Sequence, residues 1–144
     1  MANNPDKKIY NFIDEHHVLS LATSSNGQAY MANCFFIFNK DNNEFIFTSS
    51  IETRHGKEMI ENQKVAASIV LETKTIGKIQ GLQITGTASK LEGELEKKAK
   101  KQYLLKYPYA ILKTETMWSI SVDFFKLTDN RLGFGKKIIW SKHK

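Results

Sequence analysis

The residues best placed to do chemistry lie between Glu44 and Val65. An aromatic and β-branched run, Phe45-Ile46-Phe47-Thr48, breaks into Ser49-Ser50, and Thr53, Arg54, His55 and Lys57 follow where helical spacing begins. A helix start presents unpaired N–H groups and the positive end of the peptide dipole, so it attracts anions. Hydroxyls and cations added there make a candidate phosphate site at a strand-to-helix junction. Cations in a first turn oppose the dipole and need a further reason, such as a bound anion, to be there. The alternative is a plain capped helix, with Thr53 as N-cap and a solvated basic first turn.

Other constellations are thin. Histidines stand at 16, 17, 55 and 143, and none has a second ligand at metal spacing. No metal is expected. The single cysteine, Cys34, lies inside an apolar strand pattern and reads as a buried, inert thiol rather than a nucleophile. There is no Gly-x-Ser-x-Gly elbow and no evident acid–base carboxylate pair. Any reaction would have to be carried by a cofactor.

Composition sets the outer bounds. A chain of 144 residues fits one domain over 1–144, and 41% hydrophobic with 25% charged residues is ordinary for a globular fold. One cysteine excludes an internal disulfide framework and fits a reducing compartment. With no apolar leader and no run of membrane-spanning length, a cytoplasmic protein without membrane association is expected. The net charge of +6 raises nucleic acid as a partner. Many lysines fall in one segment, at 97, 98, 100, 101 and 106, behind Glu94 and Glu96. That order suits a helix dipole, with Leu95, Ala99, Tyr103 and Leu104 predicted on the apolar face. No zinc spacing, Walker-type loop or ribonucleoprotein aromatic motif accompanies it, so nucleic acid ranks last among the partners considered.

The elements that must position the junction are mostly strands. A helix over 6–16 is predicted with Ile9, Phe12 and Ile13 inward, then a strand over 18–24, and Asn26-Gly27 marks a tight hairpin. The returning strand, 28–38, is apolar on both faces, which predicts cover on both by a helix, a bound ring or another subunit. Strands follow over 44–49, 65–72, 82–89 and 118–124, with helices over 53–63 and from Glu94 to about Tyr107, where Pro108 disfavours continuation. A last strand is predicted over 131–141. Evenly spaced strands with few helices suggest a small closed barrel with helices at its rim.

This order resembles the flavin-binding split barrels typified by pyridoxamine 5′-phosphate oxidase, over roughly Tyr10 to Trp140. Leu19 to Phe38 looks like the family's first hairpin, Phe47-Thr48-Ser49 through Val65 like its phosphate segment, and Gly81 to Ala88 like a further strand. The match leans to the YhbP-like branch. The resemblance implies a mainly β fold, a six- or seven-stranded antiparallel split β-barrel with two to three helices, forming a homodimer with FMN at the subunit interface. The flavin ring would lie against Met31, Ala32, Asn33 and Cys34. Phe47, Thr48 and Ser49 would border the ribityl chain, and Thr53, Arg54, His55 and Lys57 would meet the phosphate. Gln83 would face the pyrimidine edge and Trp140 would stack from the partner chain, each with a structural role as the alternative.

Two departures qualify the resemblance. His55 stands where the family often has a lysine, leaving the phosphate's charge partners to Arg54 and Lys57. The oxidase's C-terminal signature begins here as Asp123-Phe124-Phe125 and reaches Arg131-Leu132, but Gly133-Phe134-Gly135 replaces the histidine and second arginine that hold the vitamin substrate. Pyridoxamine phosphate oxidation is therefore not expected. The expected function is an FMN-dependent oxidoreductase or flavin reductase; the alternatives are a non-catalytic FMN or haem carrier or sensor and, remotely, a nucleic-acid module.

Overall fold

The computed structural model describes residues 3–113 and 115–143. Asp6 caps helix α1 (Lys7–Asp14) by accepting the Lys8 N–H at 2.8 Å, and the helix buries Ile9, Phe12 and Ile13. Strands β1 (Val18–Ser25) and β2 (Gln28–Phe35) pair around Asn26-Gly27. Their φ angles of 49° and 78° are those of a primed two-residue turn, whose twist matches the flanking strands.

The chain continues through β3 (Ile37–Asn39), β4 (Glu44–Thr48), α2 (Arg54–Glu61), β5 (Lys64–Leu71), β6 (Gln80–Lys90), α3 (Gly93–Lys106), β7 (Met117–Asp129) and β8 (Lys137–Ser141). All strand pairs are antiparallel. Their spatial order is β2-β1-β5-β6-β7-β4-β3, with β8 also on β7. The sheet curls into a half-barrel that leaves a seam where β2 approaches β4. Phe45, Phe47, Ile84, Ile120 and Phe125 fill the curl, and α1 and Met59 of α2 pack against them. Burying one such ring or branched side chain stabilises the fold by about 1.5–3 kcal/mol, so this layer dominates cohesion. A second cluster seats Ala99 and Tyr103 of α3 on Ile37, Ile46 and Met117.

The mainly β, antiparallel half-barrel agrees with the expected class, with eight strand segments and three α-helices among the described residues. The additional segment arises because the strand expected over 28–38 is two strands. At Phe36 the chain leaves β1 and takes β4 as its partner, and the Phe36 N–H turns to the His17 carbonyl at 3.0 Å. Within one protomer, α3 and the segment after it cover part of the outer face of β2. Tyr107 packs on Phe35 at 5.4 Å between ring centroids, yet Met31 and Phe35 are both 56% exposed. The last strand starts at Lys137 rather than 131, because Asp129 accepts the Arg131 N–H at 3.0 Å and holds 130–132 in a 3-10 turn. On α3, Ala99 and Tyr103 are buried but Leu95 is exposed. No helix among the described residues is long and apolar enough to cross a membrane.

Candidate functional site

The junction between β4 and α2 is built by local hydrogen bonding. Thr53 caps α2: its hydroxyl accepts the Gly56 N–H at 3.1 Å and donates to the Ser50 carbonyl at 2.7 Å. Residue 56 has to be glycine for this closeness, since a Cβ there would sit 2.3 Å from the Ser50 oxygen and 2.9 Å from Thr53 Oγ1. The other side of the loop is fixed to the entry of β7. Ser49 N–H donates to the Thr116 carbonyl, Trp118 Nε1 donates to the Ser49 carbonyl, and the Thr48 hydroxyl donates to Thr116 while accepting the Glu115 N–H, all at 3.0 Å. A cavity of about 270 Å³ opens here, lined by Thr48, Ser49, Ser50, Thr53, Lys113 and Glu115.

The Ser49 side chain joins three elements. Its Oγ lies 2.7 Å from His55 Nε2 and faces the Cys34 thiol of β2 across the seam. Burial pushes the Cys34 thiol up to about 11, with the Ser49 hydroxyl pulling the other way, so the sulfur stays protonated. Burial lowers the His55 pKa from its ordinary 6.5, against the pull of Glu58. His55 therefore offers a neutral ring near pH 7 and the positive charge of the junction falls to Arg54, Lys57 and Lys113.

Arg54 is held rather than loose. Its Nε donates to Glu58 Oε2 at 3.0 Å, one helical turn on, and its guanidinium carbon lies 4.1 Å from the centre of the Tyr30 ring. Glu58 is 7% exposed, and its other oxygen accepts the Thr23 hydroxyl at 2.7 Å. Those two hydrogen bonds, Thr23 first, hold its carboxyl below the ordinary range.

The residues singled out from sequence separate into three groups. Cys34, Ser49, Thr53 and His55 meet at the seam, with Arg54 beside them on Tyr30 and Lys57 exposed on the same helix. Met31 and Gln83 lie on the outer face of the sheet, where they border a shallow depression of about 370 Å³ with Ser20, Ala22, Ser68 and Phe124. Asn33 shares that face and accepts the Ser20 hydroxyl at 2.8 Å, whereas Ala32 is half-buried on the other. Phe47 is fully buried, so only its backbone can border the junction. Trp140 is 5% exposed, packs on Phe125 at 5.7 Å and donates its indole N–H to the Asn3 carbonyl. Sequence alone does not single out Thr23, Tyr30, Gly56, Glu58 or Lys113. The Arg54–Glu58 spacing of four was the available signal, whereas the Thr23 and Tyr30 contacts depend on how the hairpin packs against α2.

A curled antiparallel sheet with a cap-and-cation helix start at its open seam defines a split-barrel protein. Residues 5–130 match the pyridoxamine 5′-phosphate oxidase family model, and the chain belongs to that family. It is 38% identical over 134 residues to a UPF0306 protein of Photorhabdus laumondii, covering 93% of this chain and 94% of that one. The fold is similar to a haem-binding protein of Mycobacterium smegmatis, with a TM-score of 0.75, 16% identity and 89% of this chain covered; the match spans about half, 54%, of that longer chain. It is similar as well to a FAD-binding protein of Mesorhizobium loti, with a TM-score of 0.68, 11% identity and coverage of 83% and 91%.

Proposed function

We propose that this protein binds FMN at the seam as a homodimer and acts as an FMN-dependent oxidoreductase other than a pyridoxamine phosphate oxidase. The observation that carries the reading is the junction itself. The Ser49 hydroxyl sits at the start of a helix whose first turn carries Arg54 and Lys57, and Thr53 caps that helix; a hydroxyl and two cations at a helix start suit a phosphate monoester. His55 fits as a neutral hydrogen-bonding neighbour and Arg54 supplies the fixed charge. FMN, when bound, supplies hydride transfer; the protein's share is to orient it and exclude water.

The second subunit is proposed on the outer face of β2-β1-β5. Val18, Met31, Phe35 and Val70 leave apolar surface there, beside the depression that holds Gln83. A partner laid on that face would bury it and wall the flavin ring against β2. A cytoplasmic location follows from the same reading.

The fold shared with a haem-binding protein favours one second reading, a carrier or sensor of a planar anionic cofactor. The visible spectrum of the purified protein, alone and titrated with FMN or haemin, separates the two. Flavin bands and quenched flavin fluorescence at micromolar FMN are expected. A colourless protein that leaves FMN fluorescence unchanged would sink the flavin reading, and a Soret band on haemin addition would favour the second. Turnover is tested by reductive bleaching: recovery with one defined acceptor identifies an enzyme, and recovery indifferent to acceptor a binder.

A further inference from the structure

The arginine at the mouth of the junction is held from two sides by residues of the first hairpin and of its own helix. An arginine side chain is flexible in solution, and ordering it on binding opposes association. Here the ordering is already done. Glu58 is buried in the interface between α2 and the β1–β2 hairpin, and both its oxygens are occupied, one by the Thr23 hydroxyl at 2.7 Å and one by Arg54 Nε at 3.0 Å. Tyr30, cross-strand neighbour of Thr23 in the hairpin, offers its ring face to the guanidinium at 4.1 Å. A guanidinium has five N–H donors, and Nε accounts for one. The four on the two terminal nitrogens stay available for an anion while the Tyr30 ring backs the guanidinium.

We infer that Glu58 is a positioning residue, holding Arg54 over Tyr30 so that its terminal N–H groups are preset for the phosphate of the cofactor. This rests on the flavin reading and adds a specificity role to residues outside the donor set. Thr23 anchors the far oxygen of Glu58, so the preset guanidinium is tied to the hairpin whose second strand borders the seam. Phosphate recognition and hairpin placement are then one structural unit.

Glu58 also places a negative charge near the phosphate, so its two effects must be separated. Glu58→Gln removes the charge but keeps the bonding pattern: the amide oxygen accepts from Arg54 and the amide nitrogen donates to the Thr23 oxygen. Glu58→Ala removes charge and positioning together. The measured quantity is the ratio of FMN to riboflavin affinity, by fluorescence titration of the full chain, because only FMN carries the phosphate. Glu58→Gln is expected to keep the wild-type ratio or exceed it, and Glu58→Ala to fall about 10-fold below Glu58→Gln. Tyr30→Leu, which leaves both Glu58 hydrogen bonds in place, is expected to lower the ratio about 3-fold and gives an answer even where Glu58→Ala does not fold. A staple that merely stabilises the hairpin would weaken both flavins alike and leave every ratio unmoved. Equal ratios in Glu58→Ala and Glu58→Gln, or an unmoved ratio in Tyr30→Leu, overturn the inference while the flavin reading stands. A wild-type protein that binds neither flavin overturns both.

Discussion

Two arginines in this chain lean on buried carboxylates close in sequence, yet the two pairs engage different parts of the guanidinium. Arg131 gives both ends of its fork to Asp129, with Nε to Oδ1 at 3.0 Å and Nη2 to Oδ2 at 2.9 Å, and its backbone N–H bonds the same carboxylate. Arg54 gives Glu58 only Nε and sets its guanidinium over the Tyr30 ring. The bidentate pair commits one whole edge of the Arg131 guanidinium to fixing a turn; the single Nε bond leaves both terminal nitrogens of Arg54 to other partners. In this chain Arg131 serves the 130–132 turn. The proposed phosphate contact at the β4–α2 junction and the architecture of the β7–β8 turn thus differ in how each guanidinium is used.

Exchanging the losses gives the sharpest test of that contrast. Arg54→Ala is expected to weaken FMN about 10- to 100-fold, the loss of hydrogen bonds to a charged group worth about 1.5–3 kcal/mol, while riboflavin changes little. Arg131→Ala is expected to do the reverse, leaving the flavin ratio intact and lowering the thermal midpoint, because Asp129 stays buried without its cation. Paired fluorescence titrations and melting curves read both effects; a flavin ratio lowered by Arg131→Ala would break the distinction. Next in size is the cap. Thr53→Ala removes the acceptor for the Gly56 N–H and is expected to cost about 1 kcal/mol in a urea titration. In the other turn Asn130 donates to the Ile76 carbonyl at 3.0 Å and accepts the Gly135 N–H at 3.2 Å, so Asn130→Ala is expected to cost a comparable amount in the same titration.

The smallest effect concerns pH. Burial lowers the His55 pKa below 6.5, so between its folded and ordinary values the unfolded chain holds the extra proton. Its contribution to stability is therefore present above about 6.5 and is lost as pH falls through the folded value. The urea midpoint should decline on acidification in that window, and His55→Asn should flatten the decline. An unchanged slope in the variant would assign the window to another group.

The fold was legible where its signals are local. The α1 face of Ile9, Phe12 and Ile13, the Asn26-Gly27 turn and the alternation along β6 depend on neighbours within a turn or a strand pair. The break at Phe36 was hidden, because only the competing partners β1 and β4, distant in sequence, make the chain switch there. The outward face of Leu95 was hidden for a related reason: α3 seats on Ile37, Ile46 and Met117, and its docking angle is not encoded in its own periodicity. At the junction, residue types and a helix start could be read, so Thr53 emerged as the cap. Thr23 and Tyr30 could not, since their nearness to Glu58 and Arg54 arises from packing of a hairpin on a helix some 35 positions away for the Thr23–Glu58 pair.

The strand order has a mechanical consequence. Its two terminal members, β2 and β3, are consecutive in the chain and separated by Phe36 alone. The ring of strands is therefore closed at one corner by covalent bonds and elsewhere along the seam by side chains. Displacement across such a joint grows with distance from the pivot, like the jaws of a peg. Cys34 and Ser49 meet close to the pivot, where little travel is available, whereas Tyr30 and Arg54 lie farther out, where the same rotation moves the jaws most. The arginine–tyrosine contact fastens that far end of the hairpin to α2.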